Sequence, residues 1–384
     1  MRISVTCYES LGVAGGSAIQ VLRLAEELVR AGHSVTIYAP GITKAPRTSA
    51  AVAYMPVLNI PGLRFVSYLL LAPFYLALEF SRWRPDVLLV FEVYFDLSSV
   101  LLARLTGTPL HVFVNAIADQ ELRLSGSRLP LKWALGAVQA LLVRSAGKVY
   151  TISGEISAWL RRRYSLPESA VVLVRNGVDT RAFAPLDAAE CRRKLGLPAA
   201  GRYIGFVGRP APWHGLGSLV AAAPAVLREV PDARFLIVGE GPSLPEVKEL
   251  VRAQGLSGNF VFAGEAPHAE IPAYIGACDV CVAFYKPVRS YAGDPMKLYE
   301  YLACGRAVLA EAVPGYGDLV VEAGAGLQVR SSDPAAAAEA LIGLLKDGGL
   351  RAGMGINGRK AAVSRYEWAA GIKDMISGLT GGAV

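Results

Sequence analysis

The chain has 384 residues, 53% of them hydrophobic, which exceeds what one core usually serves and excludes a disordered or fibrous protein, so two domains are expected. Its net charge is +7; residues 1–185 carry 19 basic and 12 acidic side chains and residues 186–384 carry 20 of each, so the whole surplus lies in the first half. Five cysteines (Cys7, Cys191, Cys278, Cys281, Cys304), odd in number and scattered, imply no disulfide framework and fit a reducing, cytoplasmic setting.

The first ten residues have strand-like alternation and lack the apolar core of a signal peptide. Residues 2–7 are expected as a strand, 11–17 as a glycine-containing loop, 17–31 as a helix with Ile19, Leu22, Ala25, Leu28 and Val29 on its apolar face, and 34–39 as the next strand. This is a βαβ unit of a parallel sheet, without the GxGxxG and following acidic residue that a nicotinamide site would need. The longest apolar segment, 65–78, is short for a membrane span and reads as a buried or interfacial helix. Strands follow at 87–91, 110–115, 149–152 and 171–174, with helices at 97–105, 131–144 and 154–164 between them, and the proline-containing segment 182–200 is the candidate linker.

The second half restarts the alternation. Strands are expected at 203–207, 234–238, 261–263, 280–284, 307–310 and 327–329, and helices at 219–230, 245–254, 271–277, 296–303, 334–346 and 367–379. Cys278 and Cys281 sit in an apolar run without a second pair, which favours two small strand residues over zinc. Gly293 and Pro295 mark a turn into a helix whose N-terminus, with unpaired N–H groups and a positive dipole end, suits a phosphate, and Glu300 lies one turn further along. An ordinary buried helix reads the same stretch equally well. The fold class is therefore α/β, two doubly wound Rossmann-like domains with a cleft between the carboxyl ends of their strands.

Gly15-Gly16 after the first strand, SGEISAWL at 153–160, NGVD at 176–179, GR at 208–209, VGEGP at 238–242 and LYEYLACGRAV at 298–308 fall in one order along nearly the whole chain. With these motifs the sequence resembles the retaining glycosyltransferases of family 4, the group 1 glycosyl transferases of GT-B fold. The resemblance implies an acceptor-side domain over 1–184, with the C-terminal helix 366–384 crossing back to it, and a nucleotide-sugar domain over 185–365. It implies a retaining transfer from a UDP-, GDP- or ADP-linked sugar to an acceptor, with no metal and no cofactor; the basic first half with its apolar helices suits a glycan or a polyprenyl- or dolichyl-linked acceptor, and nucleic acid is not an expected partner.

The same resemblance assigns the site. Arg209 carries fixed positive charge for the leaving diphosphate, joined by His214 where the family usually has lysine. Glu300 corresponds to the second glutamate of the EX7E motif, at the donor ribose; the first would fall at Ala292, and Asp294 is the candidate replacement, although a turn-forming aspartate explains it as well. Asn115 stands at the family's histidine position beside the donor sugar and cannot titrate. Gly15, Gly16, Gly239, Glu240, Gly241, Met296, Lys297 and Leu298 complete the donor-binding set, with Gly241 expected in a glycine-only conformation; a solvated helix face explains Lys297 as well, and Asp119 is assigned to the acceptor side, where a helix or turn cap explains it equally. His111 is expected to be structural. A GT-B epimerase and a non-catalytic nucleotide-sugar binder are the alternatives. Arg123, Arg128, Lys132, Arg144 and Lys148 border an apolar helix in the basic half, which suits either a peripheral position on an anionic membrane surface or solvated arginines over an ordinary core helix.

Overall fold

A computed structural model describes every residue except 13, 14, 46, 61, 62, 92–95, 118, 119, 121–131, 287–292, 331 and 380–384, and the side chains of 132–135. Asp119, Ala292, Arg123, Arg128 and the Lys132 side chain therefore lie outside the described residues. The chain divides into two compact units, residues 1–176 with 371–384, and residues 177–370.

The first unit holds seven parallel strands in the order β3-β2-β1-β4-β5-β6-β7: β1 Arg2–Cys7, β2 Ser34–Pro40, β3 Ala51–Met55, β4 Val87–Phe91, β5 Leu110–Val114, β6 Lys148–Thr151 and β7 Val171–Leu173. Central strands such as VLLVF and LHVFV are buried at every residue because helices cover both faces, which is why they read as continuous apolar runs. Strand β3, AVAYM, escapes the sequence reading: it is an edge strand whose alanines carry little strand signal, and pairing with β2 defines it. Helix Leu63–Arg82 is longer than expected, passes through Pro73, and leaves much of its apolar surface exposed. His111 is structural as expected: its Nδ1 lies 3.2 Å from the Tyr150 hydroxyl, and burial, helped by the nearby Lys148 charge, pushes its imidazolium down to about 4.

The second unit holds six parallel strands in the order β10-β9-β8-β11-β12-β13: β8 Arg202–Val207, β9 Ala233–Val238, β10 Phe260–Gly264, β11 Val280–Ala283, β12 Ala307–Glu311 and β13 Gly326–Val329. Side chains alternate between two core layers, Tyr203 and Val207 in one and Ile204 and Phe206 in the other. Cys278 and Cys281 are buried free thiols, and Gly205 leaves room for the Cys278 sulfur.

Residues 182–200 are not a free linker. Asp187 caps helix Ala188–Lys194 through the Glu190 N–H, and Arg192 donates to the Ala277 carbonyl and pairs with Asp279 at 2.8 Å, which fastens the segment to the second unit. Two helices, Gly317–Glu322 and Gly348–Arg365, were not expected. The second has glycine at 348, 349, 353, 355 and 358, a composition with poor helix propensity. Two of those glycines are needed by packing: a Cβ on Gly355 would lie 2.2 Å from the Gly305 carbonyl oxygen, and one on Gly358 3.1 Å from Leu302. The tail is two helices, Trp368–Gly371 and Lys373–Leu379, rather than one.

Candidate active site

Strand order reverses between β8 and β11, so the loops leaving these strands open at the topological switch point of the second sheet, where doubly wound folds bind ligands. Two loops, those after β8 and β9, converge there with almost no side-chain volume. Gly208 takes φ +132° and Gly239 φ +115°, both in the region that favours glycine. A Cβ on Gly239 would sit 2.4 Å from the Gly208 carbonyl oxygen, so the β8 and β9 loops touch backbone to backbone. Gly241 differs from expectation: it is absent from the positive-φ glycines, and space makes it necessary, since its Cβ would meet the Pro210 carbonyl oxygen at 2.2 Å and Arg209 Cγ at 2.9 Å. Arg209 and Glu240 are exposed at this edge.

His214 ends a short 3-10 turn, Pro212–His214, ahead of helix Leu216–Glu229. Its Nδ1 accepts the Ala211 N–H at 3.2 Å. A backbone N–H can only donate, so the neutral ring carries its proton on Nε2 and offers a hydrogen bond rather than a charge.

Helix Met296–Ala303 begins after Pro295 with no side-chain cap and no acidic residue in its first turn. Leu298 contributes neither side chain nor N–H to a ligand, being fully buried and bonded through nitrogen to the Pro295 carbonyl at 3.0 Å. Met296 and Lys297 supply the N–H groups that an α-helix leaves unpaired at its start. The Lys297 ammonium lies 4.2 Å from the centre of the Phe206 ring, against Gly208, and has no hydrogen-bond partner among the described residues. Burial pushes it down to about 7, against the opposing pull of Glu300. A cation held dry beside a glycine loop is suited to an incoming anion.

Glu300 is mostly buried and accepts from His268 Nε2 at 3.2 Å; its other oxygen has no partner among the described residues. His268 opens the 3-10 turn His268–Glu270 and leans on the Phe183 ring, 5.3 Å between centroids. It was not singled out from the sequence, where no motif surrounds it and 32 residues separate it from Glu300. Asp294 is buried and accepts from the Tyr299 hydroxyl, which holds the turn onto the helix it precedes.

Gly15, Gly16 and Asn115 belong to the first unit. Gly15 precedes helix Gly16–Arg30 in an extended conformation open to any residue, and among the described residues, its chain neighbours aside, no atom lies within 4 Å of where a Cβ would sit, which leaves room for approach to the helix start. Asn115, just past β5, donates its amide to Gln20 of that helix. Both side chains are buried, which ties the end of β5 to the first turns of the helix. Gln20 carried no signal in the sequence, since only the fold brings it to a residue 95 positions away.

Known proteins place these features in context. Residues 14–182 match the family described as Glycosyltransferase Family 4 and residues 187–361 the one described as Glycosyl transferases group 1. The chain is 30% identical over 343 residues to the 2-deoxystreptamine N-acetyl-D-glucosaminyltransferase of Streptomyces fradiae, covering 84% of this chain and 80% of that protein. It is 29% identical over 375 residues to the phosphatidyl-myo-inositol mannosyltransferase of Mycolicibacterium smegmatis, covering 96% and 90%. Among solved structures, sucrose-phosphate synthase from Thermosynechococcus elongatus superimposes with a TM-score of 0.80 at 22% identity, covering 98% and 97% of the two chains. HepE of Anabaena, solved with UDP-glucose, gives 0.76 at 17% identity, covering 99% and 100%. These last two likenesses concern the fold.

Proposed function

The chain belongs to the group 1 glycosyl transferases of family 4, enzymes of GT-B fold that act on sugar nucleotides, and from that premise we propose a metal-independent transfer with retention of anomeric configuration. The observation that carries the proposal is the pairing of Lys297, whose ammonium is buried and without a hydrogen-bond partner among the described residues, with the bare Gly208–Gly239 loop contact and exposed Arg209 at the switch point of the second sheet.

As the glycosidic bond breaks, negative charge grows on the leaving diphosphate. Arg209 and Lys297 supply two positive charges for it, and the Met296 and Lys297 N–H groups and His214 Nε2–H supply directed hydrogen bonds; this is the electrostatic work a metal would otherwise perform. Glu300, with one oxygen held by His268, has the other to accept from a ribose hydroxyl. In the retaining reaction the acceptor hydroxyl attacks the anomeric carbon on the face the nucleotide leaves, and its proton passes to the departing phosphate oxygen. No protein base is then required, in keeping with Asn115, which cannot titrate. The first unit serves the acceptor, a hydroxylated ring of a glycan or lipid-linked sugar. The names of both relatives above carry a ring polyol, 2-deoxystreptamine or myo-inositol.

The test is nucleotide release from a panel of UDP-, GDP- and ADP-sugars, with and without EDTA, and the anomeric configuration of the product by NMR. Arg209→Ala and Glu300→Ala are each expected to lower turnover by about 10²-fold or more. Full activity in either variant, dependence on an added divalent ion, or an inverted product would each refute the corresponding part.

A further inference from the structure

Helix Leu63–Arg82 turns apolar side chains outward. Every exposed residue from 66 to 78 is apolar, with Leu70 64% and Phe74 77% exposed, while Tyr68, Ala72, Leu76 and Phe80 on the opposite side are buried. Helix Leu97–Thr106 packs beside it and exposes Leu97, Leu101 and Leu105 at four-residue spacing, a second apolar stripe. Two neighbouring helices that both turn apolar stripes outward expose apolar surface of a kind soluble proteins rarely carry without a partner.

The charges nearby are arranged by topology. Because all strands of the first sheet are parallel, the connecting helices run back against them, and their last turns gather along the amino-terminal edge of the sheet. Those turns hold Arg82, Arg104, Arg144 and the run Arg161–Arg163. Arg82, Arg104 and Arg144 are exposed.

We propose that this face docks on the anionic leaflet of a lipid bilayer, with the helix Leu63–Arg82 lying in the plane of the interface, its outward stripe among the acyl chains and the arginine edge against the headgroups. Arg82 pairs with Glu79 at 3.4 Å and Arg161 with Glu168 at 3.1 Å, whereas Arg104 and Arg144 have no carboxylate partner among the described residues; a second copy of the chain would cover the stripe but bring no counter-charge to these two, whereas an anionic leaflet answers both. The helix is long and apolar enough to span, but crossing would strip Tyr68, Leu76 and Phe80 from the core they fill, so it stays in the interface.

The proposal is independent of the transfer chemistry and is tested by flotation with vesicles of phosphatidylcholine alone or with roughly one third phosphatidylglycerol. The wild-type protein is expected to float with the anionic vesicles about tenfold better than with the neutral ones, and less well as salt rises. Leu70→Glu with Phe74→Glu, and the milder Phe74→Ser should the double variant fold poorly by circular dichroism, should lose binding by roughly tenfold or more. Arg82→Glu with Arg104→Glu should remove the preference for anionic lipid. Nucleotide release with a soluble acceptor, read in parallel, should be unchanged in all of them, which separates failure of docking from failure of the transferase. Absence of vesicle binding by the wild type, binding by Phe74→Ser equal to wild type, or a concentration-dependent dimer that Phe74→Ser dissolves without any vesicle binding would overturn the proposal.

Discussion

A buried ammonium group without a hydrogen-bond partner among the described residues, as at Lys297, is costly to keep charged, and the value of about 7 expresses that cost. A bound diphosphate favours the charged form and raises this value. Lys297 is then charged before and after binding below about pH 7, where affinity is fullest. As pH rises through and beyond that value, binding must take up a proton and weakens, by up to about tenfold per pH unit until the bound-state pKa is passed. Calorimetric titration with the preferred donor between about pH 7 and pH 9 should show this slope, and Lys297→Met should flatten it; an unchanged slope in the variant would remove Lys297 from the donor site. His268 acts through Glu300, so it is a positioning residue. His268→Ala should raise the donor KM by about tenfold with a smaller effect on kcat, as expected for loss of binding shared by ground and transition states, and His268→Gln should recover part of it. A fall in kcat at unchanged KM would contradict that role.

Among the elements, the glycine-rich helix Gly348–Arg365 separates two uses of glycine. At Gly355 an added Cβ would strike the Gly305 backbone, whereas at Gly353 nothing lies within 4 Å. Gly355→Ala should therefore destabilise the second unit by about 1–3 kcal/mol through overpacking, and Gly353→Ala should stabilise it by about 0.5–1 kcal/mol through helix propensity. Urea unfolding of the two variants decides; equal shifts of one sign would mean the helices do not approach as closely as the structure has them. The close approach also bears on the candidate site, because Gly305 follows Cys304, the C-cap of helix Met296–Ala303. A composition that argues against a helix is here the condition for packing one against the helix that carries Lys297 and Glu300.

At the scale of the whole molecule, residues 371–384 are counted with the first unit although they follow the second in sequence. Ile372, Met375 and Leu379 are buried, and the helix Lys373–Leu379 lies against β6 and β7. Ending the chain at Ala370 removes three core side chains, on the order of 5 kcal/mol of apolar burial. Scanning calorimetry should show the transition of the first unit lowered or lost while that of the second unit persists. Loss of both together would mean that the units do not unfold separately.

By itself the sequence determined the α/β alternation, the two parallel sheets and the elements that carry Arg209, Lys297 and Glu300, because parallel strands and helix faces are periodic and the loop motifs keep their order along the chain. Packing decided the rest. Strand β3 exists through pairing with β2, the segment 182–200 is held by Arg192 and Asp279 rather than left as a linker, and Gly241 answers to space and not to a dihedral angle. The partners of the site residues, His268 for Glu300, Tyr299 for Asp294 and Gln20 for Asn115, were likewise set by the fold. A local pattern shows what a residue can do, but its partner, its exposure and its charge depend on neighbours that are distant in sequence, and these arise only when the sheets and helices close around them.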